Sequence, residues 1–205
     1  MICSSIEEYG SYRDITKPSV VGALIVFFLR YSRVLPKRTT LLMLLALVFS
    51  LSGDVLLLFT EQSHLFFIMG LLSFLIAHVM YVLVFLKKRN KTQKPGLFLA
   101  ITLLYGLSLF YVLYPGLDQM LIPVIVYMVV ILLMANTAFL RKGLVQKSSY
   151  NYVLVGALFF MLSDSLLALN MFYQPIMLSN IMIMTTYAIA QLLIVYGVLK
   201  QEING

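Results

Sequence analysis

The sequence predicts an all-α, polytopic transmembrane bundle of about seven helices, and three observations predict it. Hydrophobic residues make up 61% of the 205-residue chain and charged residues only 11%, against about 25% charged in an average soluble domain. Mean hydropathy is +0.97. Continuously apolar runs recur along the chain, near 18–35, 39–60, 64–87, 96–114, 119–140, 150–172 and 176–199. Each run approaches the ~20 residues a helix needs to cross a hydrocarbon core. Membrane β-strands would instead be short and alternating. The organisation is therefore a polar N-terminal segment (1–16), one membrane domain (17–200) and a short tail (201–205).

Run one opens at Lys17-Pro18 and is interrupted by Arg30, whose long side chain can snorkel to the interface. Runs two and six each carry one acid, Asp54 and Asp164. Run three carries His78 and Tyr81, run five Pro123 and Asn136, and run seven Gln191. The single cysteine, Cys3, excludes an internal disulfide framework and a cysteine metal cluster. Met1–Thr16 holds Glu7, Glu8 and Asp14, unlike a signal peptide, which needs a basic start and an apolar core.

The net charge is +7, but its distribution points to membrane orientation and not to nucleic acid. Thirteen of the fifteen Lys and Arg residues follow runs one, three, five and seven. Only Arg13 and Lys17 remain for the other face, and the loops after runs two, four and six contain none. The positive-inside rule then sets a cytoplasmic C-terminus and an external N-terminus in a multi-pass protein, as in a bacterial cell membrane.

An internal repeat runs through the chain. Phe49-x4-Asp54-x-Leu56-Leu57 is matched by Phe159-x4-Asp164-x-Leu166-Leu167, and Phe74-x2-Ala77-His78 by Tyr187-x2-Ala190-Gln191. Corresponding runs lie four crossings apart and share orientation, so the repeat is parallel. Run four has no partner. The implied parent is four plus four helices with the first missing from this chain.

The two acids are the functional candidates. A carboxylate in hydrocarbon costs at least ~2.5–3.5 kcal/mol even on the mildest scale, and intramembrane acids commonly mark a working site. Counting back from the ends of their runs puts Asp54 about 9 Å and Asp164 about 12 Å below one face. Two carboxyls in one low-dielectric site cannot easily both ionise, so they share a proton, which suits a general acid beside a base. The alternative is that each acid only bonds a neighbouring helix. Ser50 and Ser163 lie close to the acids in sequence, as either supporting residues or back-bonded helix serines. His78 and Tyr81 share a face of run three. The same counting sets His78 about 10 Å deeper than the acids, as a helix-bridging residue or cavity floor paired with Gln191. Lys17 is a candidate phosphate contact or an ordinary interfacial lysine. Asn136 lies too far from the acids for direct chemistry. Asn170 and Asn180, near the ends of runs six and seven, line a mouth or satisfy interfacial hydrogen bonds. With two histidines in all, a three-histidine zinc site is ruled out. No nucleophile elbow is present.

Four segments together resemble the YhhN-type lysoplasmalogenase family of membrane hydrolases. They are Phe49–Leu57, Phe74–Tyr81, Gly156–Ala168 and Ala190–Leu193, and the resemblance runs from Lys17 to about Leu199. It implies an eight-helix fold and cleavage of the vinyl-ether bond of lysoplasmalogens to a fatty aldehyde and glycerophospho-ethanolamine or -choline. Asp54 and Asp164 are implied as the catalytic pair, with Ser50, Ser163, His78, Tyr81, Gln191 and Lys17 in supporting roles. No metal or organic cofactor is required, and the partners are a lysophospholipid and membrane lipids. A proton-coupled carrier and a non-catalytic lipid-binding protein are the competing classes. Carriers tend to break helices at midplane, whereas runs two and six hold no proline and only Gly53 and Gly156.

The topology is checked by cysteine accessibility in a Cys3→Ser background. A cysteine at Gln62 should react with a membrane-impermeant maleimide on intact cells. One at Lys91 should react only after the membrane is opened.

Overall fold

The computed structural model describes residues 18–202, and Lys17 with the polar segment before it lies outside them. Among the described residues there are seven α-helices and no strand: α1 (18–31), α2 (Lys37–Leu57), α3 (His64–Lys87), α4 (Gly96–Leu113), α5 (Leu121–Phe139), α6 (Lys147–Phe172) and α7 (Ser179–Leu199). Six of them, α2 to α7, are long and apolar enough to cross a membrane. The protein is therefore a multi-pass, all-α membrane bundle.

Local chemistry sets the helix ends. α1 gives way to a 3₁₀ turn at Ser32–Val34, four residues short of the end of run one. Leu35 is then extended (φ −90°, ψ 149°), because a residue before proline is pushed out of the helical region. Pro36 stands at the N-cap of α2, where its missing N–H costs nothing. Ser63 caps α3 by accepting a hydrogen bond from the Leu65 N–H at 3.2 Å. Pro123 lies in the first turn of α5, before any i−4 bond is needed.

The most extensive helix contacts are α6 on α7 and α2 on α3, the two pairs the repeat matches. α3 and α6 both pack on α5, and α4 rests chiefly on α5. The seam is built from small and aromatic residues, including Ala46, Ala77, Ala157, Ala190, Tyr81 and Phe160, all fully buried. Small side chains matter here because lipid offers no hydrophobic force between helices, so close van der Waals packing must hold them. Asn136 ties α5 to α4 by donating to Thr102 Oγ1 at 2.9 Å.

One loop cation behaves differently from the orientation signal the sequence suggests. Arg141 is fully buried. It donates to Gln201 Oε1 at 2.9 Å and Ser149 Oγ at 3.2 Å, and lies 5.7 Å from the Phe85 ring centre. It thereby draws Gln201, the start of the tail, against the ends of α3 and α6.

At the opposite end, Gly116 joins α4 to α5 against the last turn of α6. A Cβ at Gly116 would stand 1.9 Å from the Phe172 carbonyl oxygen, which is backbone and cannot swing aside. Gly116→Ala should therefore lower stability by roughly 1–3 kcal/mol, the scale of an overpacked contact. Thermal unfolding in detergent checks this, with Gly96→Ala, where a Cβ meets open space, as the comparison.

Candidate functional site

Asp54 lies one turn before the end of α2, and Asp164 two turns before the end of α6. Both line one cavity of about 140 Å³. Thr60, Asn170 and Asn180 give this cavity a polar mouth, and Leu57, Phe67, Phe74 and Leu167 give it apolar walls. The two asparagines therefore line the mouth. Asn170 also accepts a 2.9 Å bond from the Ile176 N–H and so secures the α6–α7 connection.

Each carboxylate takes a hydroxyl from a tyrosine on another helix. Tyr187 on α7 donates to Asp54 Oδ2 at 3.0 Å, and Tyr127 on α5 donates to Asp164 Oδ2 at 2.5 Å. Asp54 is 4% exposed, so it is held chiefly by groups of the neighbouring helices. Tyr187 is visible in the sequence as the repeat counterpart of Phe74, but nothing local marks it as a carboxylate partner. Tyr127 has no signal in the sequence at all. Only the packing of α5 on α6 reveals it.

His78 corrects the depth reckoned from helix rise. Its Nε2 stands 3.6 Å from Asp164 Oδ2, not about 10 Å beneath the acids. Side chains lean toward the N-terminus of their helix. α3 and α6 run in opposite directions, so His78 and Asp164 lean toward each other. The His78 Nδ1 lies 2.7 Å from the Phe74 carbonyl oxygen, which is an acceptor only, so Nδ1 carries the hydrogen. A neutral His78 then turns its Nε2 lone pair to Asp164. At 3.6 Å this is a close approach and not a formed hydrogen bond. The ring is held edge-on by Phe160 and Tyr127, with centroids 4.5 Å and 5.3 Å away.

Gln191 does not pair with His78. It accepts from Tyr81 at 2.5 Å and donates to the Tyr187 hydroxyl at 3.2 Å. A chain of hydrogen bonds thus runs Tyr81–Gln191–Tyr187–Asp54 across α3, α7 and α2. Ser50 Oγ is fully buried one turn before Asp54 and lies beside the Tyr81 hydroxyl without a bonded partner of good geometry. Ser163 lines the cavity, but its hydroxyl donates to the Ile183 carbonyl of α7 at 3.0 Å. Ser165 back-bonds to the Met161 carbonyl at 2.7 Å, as helix serines do. Gly53 makes the site close-packed: a Cβ there would come within 2.6 Å of the Phe74 ring. Among the described residues, no three His, Cys, Asp or Glu side chains come together as a metal site would need.

Comparison with known proteins bears on this arrangement. Residues 12–198 match the YhhN family. The chain belongs to that family. Among curated relatives, human lysoplasmalogenase TMEM86B is 37% identical over 158 residues, covering 77% of this chain and 63% of the relative. Human lysoplasmalogenase TMEM86A is 31% identical over 76% of this chain and 64% of its own length. Bovine (Bos taurus) lysoplasmalogenase TMEM86A is 34% identical over the same two shares. This YhhN chain thus spans a little under two thirds of these relatives. No solved structure matches it.

The Tyr81–Gln191 bond should be worth about 0.6–1.7 kcal/mol, the range found for polar contacts between membrane helices. Tyr81→Phe and Gln191→Leu should each lower thermal stability. The double variant should lose less than the sum, because both delete one interaction. Additive losses in a double-mutant cycle would show that the two do not couple.

Proposed function

We propose that the protein is a membrane hydrolase that cleaves the vinyl-ether bond of a lysoplasmalogen, with Asp54 and Asp164 as its acid–base pair. The observation that carries this reading is one cavity lined by both carboxylates, polar at its mouth and apolar within. The relatives named lysoplasmalogenase support the same reaction class.

Hydrolysis of a vinyl ether starts with proton transfer to the β-carbon, which leaves an oxocarbenium ion. Water adds to that cation, and the hemiacetal collapses to an aldehyde and an alcohol. The first step needs a carboxyl that still holds its proton, and the second a carboxylate that faces the cation and orients water. In this reading Asp164 holds the proton to be delivered, His78 Nε2 stands 3.6 Å from it as the neighbouring base, and Tyr127 fixes the carboxyl by donating to Oδ2. Asp54, held by Tyr187, balances the positive charge on the substrate carbon. The Tyr81–Gln191–Tyr187 chain keeps Tyr187 aimed at Asp54. Ser50 and Ser163 support the pair, and Lys17 is the candidate contact for the substrate phosphate. The external N-terminus and cytoplasmic C-terminus belong to the same proposal, and they open the mouth to the outer leaflet.

Asp54→Asn and Asp164→Asn should each reduce aldehyde release from lysoplasmalogen by at least 100-fold, the lower bound for general acid–base catalysis, while the protein remains folded in detergent. Near-normal turnover by either variant would remove the paired-acid mechanism. Absence of aldehyde from the unaltered protein, in a panel of lysolipids of differing headgroup and linkage, would favour a carrier or a lipid-binding protein.

A further inference from the structure

Asp164 borders more than the polar cavity. It also walls two apolar clefts of about 50 Å³ each. The first lies among α3, α5 and α6, beside Leu71 and Phe172. The second lies among α4, α5 and α6, and descends from Leu113 past Leu109 to Ile131 and Met161. Val124, Tyr127, Asp164 and Ala168 are common to both clefts. Leu109 and Ser165 line both the second cleft and an open groove of about 300 Å³ between α4 and α6. That groove is walled by Tyr105, Val112, Leu162 and Leu166. Cleft and groove adjoin across these shared residues and mark out an almost wholly apolar track from Asp164 towards the lipid-facing surface.

We infer that this track holds the hydrocarbon chain of the substrate, admitted sideways from the bilayer between α4 and α6, with Ala168 and Val124 setting the chain it accepts. The inference rests on the proposed hydrolase reading. It follows from where a vinyl ether sits in its own molecule, at the junction of a polar glycerol backbone and an apolar chain. Inside the protein the matching junction is Asp164, with Thr60, Asn170 and Asn180 on one side and the clefts on the other. The clefts are narrow, so only the first few carbons fit beside Asp164, and the remainder must lie in the groove. α4 suits a lateral gate. It is the least buried of the six long helices, and its polar tie to α6 is the Tyr105 hydroxyl donating to Ser165 Oγ at 2.8 Å. Ala168 contributes only a methyl group to both clefts, so enlarging it narrows the track one turn from Asp164 while leaving both carboxylates in the chain.

Two measurements test this. The first compares kcat/KM for a long-chain and a short-chain alkenyl lysolipid of the same headgroup. Ala168→Phe should lower the long-chain value by on the order of tenfold or more and change the short-chain value far less, as steric loss in an apolar pocket does. Val124→Ala, which widens the same point, should shift preference toward bulkier chains. The second uses the unaltered protein and a non-cleavable alkyl lysolipid with a photoreactive diazirine at the end of its chain. Labelled peptides should come from α4 and α6, and excess lysolipid should suppress them. Equal losses for both chain lengths, or labelling confined to α7, overturns the track. If Ala168→Phe does not fold, the labelling decides alone. Labelling of α4 and α6 without any hydrolysis keeps the track and overturns the proposed reaction.

Discussion

A carboxylate within the hydrocarbon layer has no bulk water to bond, so the hydrogen bonds that satisfy it must come from other helices. Much of this bundle is arranged around that constraint. Asp54 on α2 is served by Tyr187 on α7, and Asp164 on α6 by Tyr127 on α5 and the nearby His78 on α3. These polar ties alone link five helices about one cavity. The small residues along the seams have their effect in the same place, because a tyrosine reaches a neighbouring carboxylate only if the helix backbones approach closely. Gly53, beside Asp54, lets the Phe74 ring lie against α2, and the Phe74 carbonyl in turn fixes the hydrogen on His78.

The repeat gives these contacts a pattern. In each half, the second helix of the tight pair reaches the acid of the other half. His78 of α3 approaches Asp164 of α6, and Tyr187 of α7 reaches Asp54 of α2. In both cases the two helices run in opposite directions, so their side chains lean toward one another. The exchange is not symmetric in chemistry. The positions equivalent to His78 and Tyr187 are Gln191 and Phe74, so one acid has an imidazole as its neighbour and the other the end of a hydrogen-bonded chain. Two acids at matching positions of the sequence repeat thus sit in different electrostatic surroundings. An acid–base division of labour needs that difference.

The cavity adds a gradient of polarity. Asparagine and threonine stand at its mouth, the carboxylates lie farther in, and beyond Asp164 the walls are almost entirely apolar. An amphiphile entering from the membrane would align along this gradient, because burying a polar headgroup among the apolar walls would leave it without hydrogen bonds. In the proposed reaction this alignment brings the scissile bond to Asp164. The helix proposed as the gate is α4, the least buried of the six long helices, whose sequence run has no counterpart in the repeat.

Hydrophobic runs and turn-forming residues alone determined the helices. Run three is observed at its expected limits of His64–Lys87, and the other long helices begin and end within a few residues of their runs, because the need to satisfy every backbone amide in lipid leaves a twenty-residue apolar segment no other form. The two acids were equally legible, since a charge stands out against leucine. Their partners were not. Tyr127 and Tyr187 are ordinary interfacial-looking tyrosines in a chain with thirteen of them, and only helix packing brings a hydroxyl to a carboxylate. His78 was misplaced because residue counting fixes height along one helix but neither its offset from a neighbour nor the lean of its side chains. Arg141 was hidden in a basic loop until α3, α6 and the residues after α7 closed around it. The chain by itself determined which segments cross and which residues carry a cost there. Only the tertiary structure decided which of those residues meet, because those contacts join helices far apart in sequence.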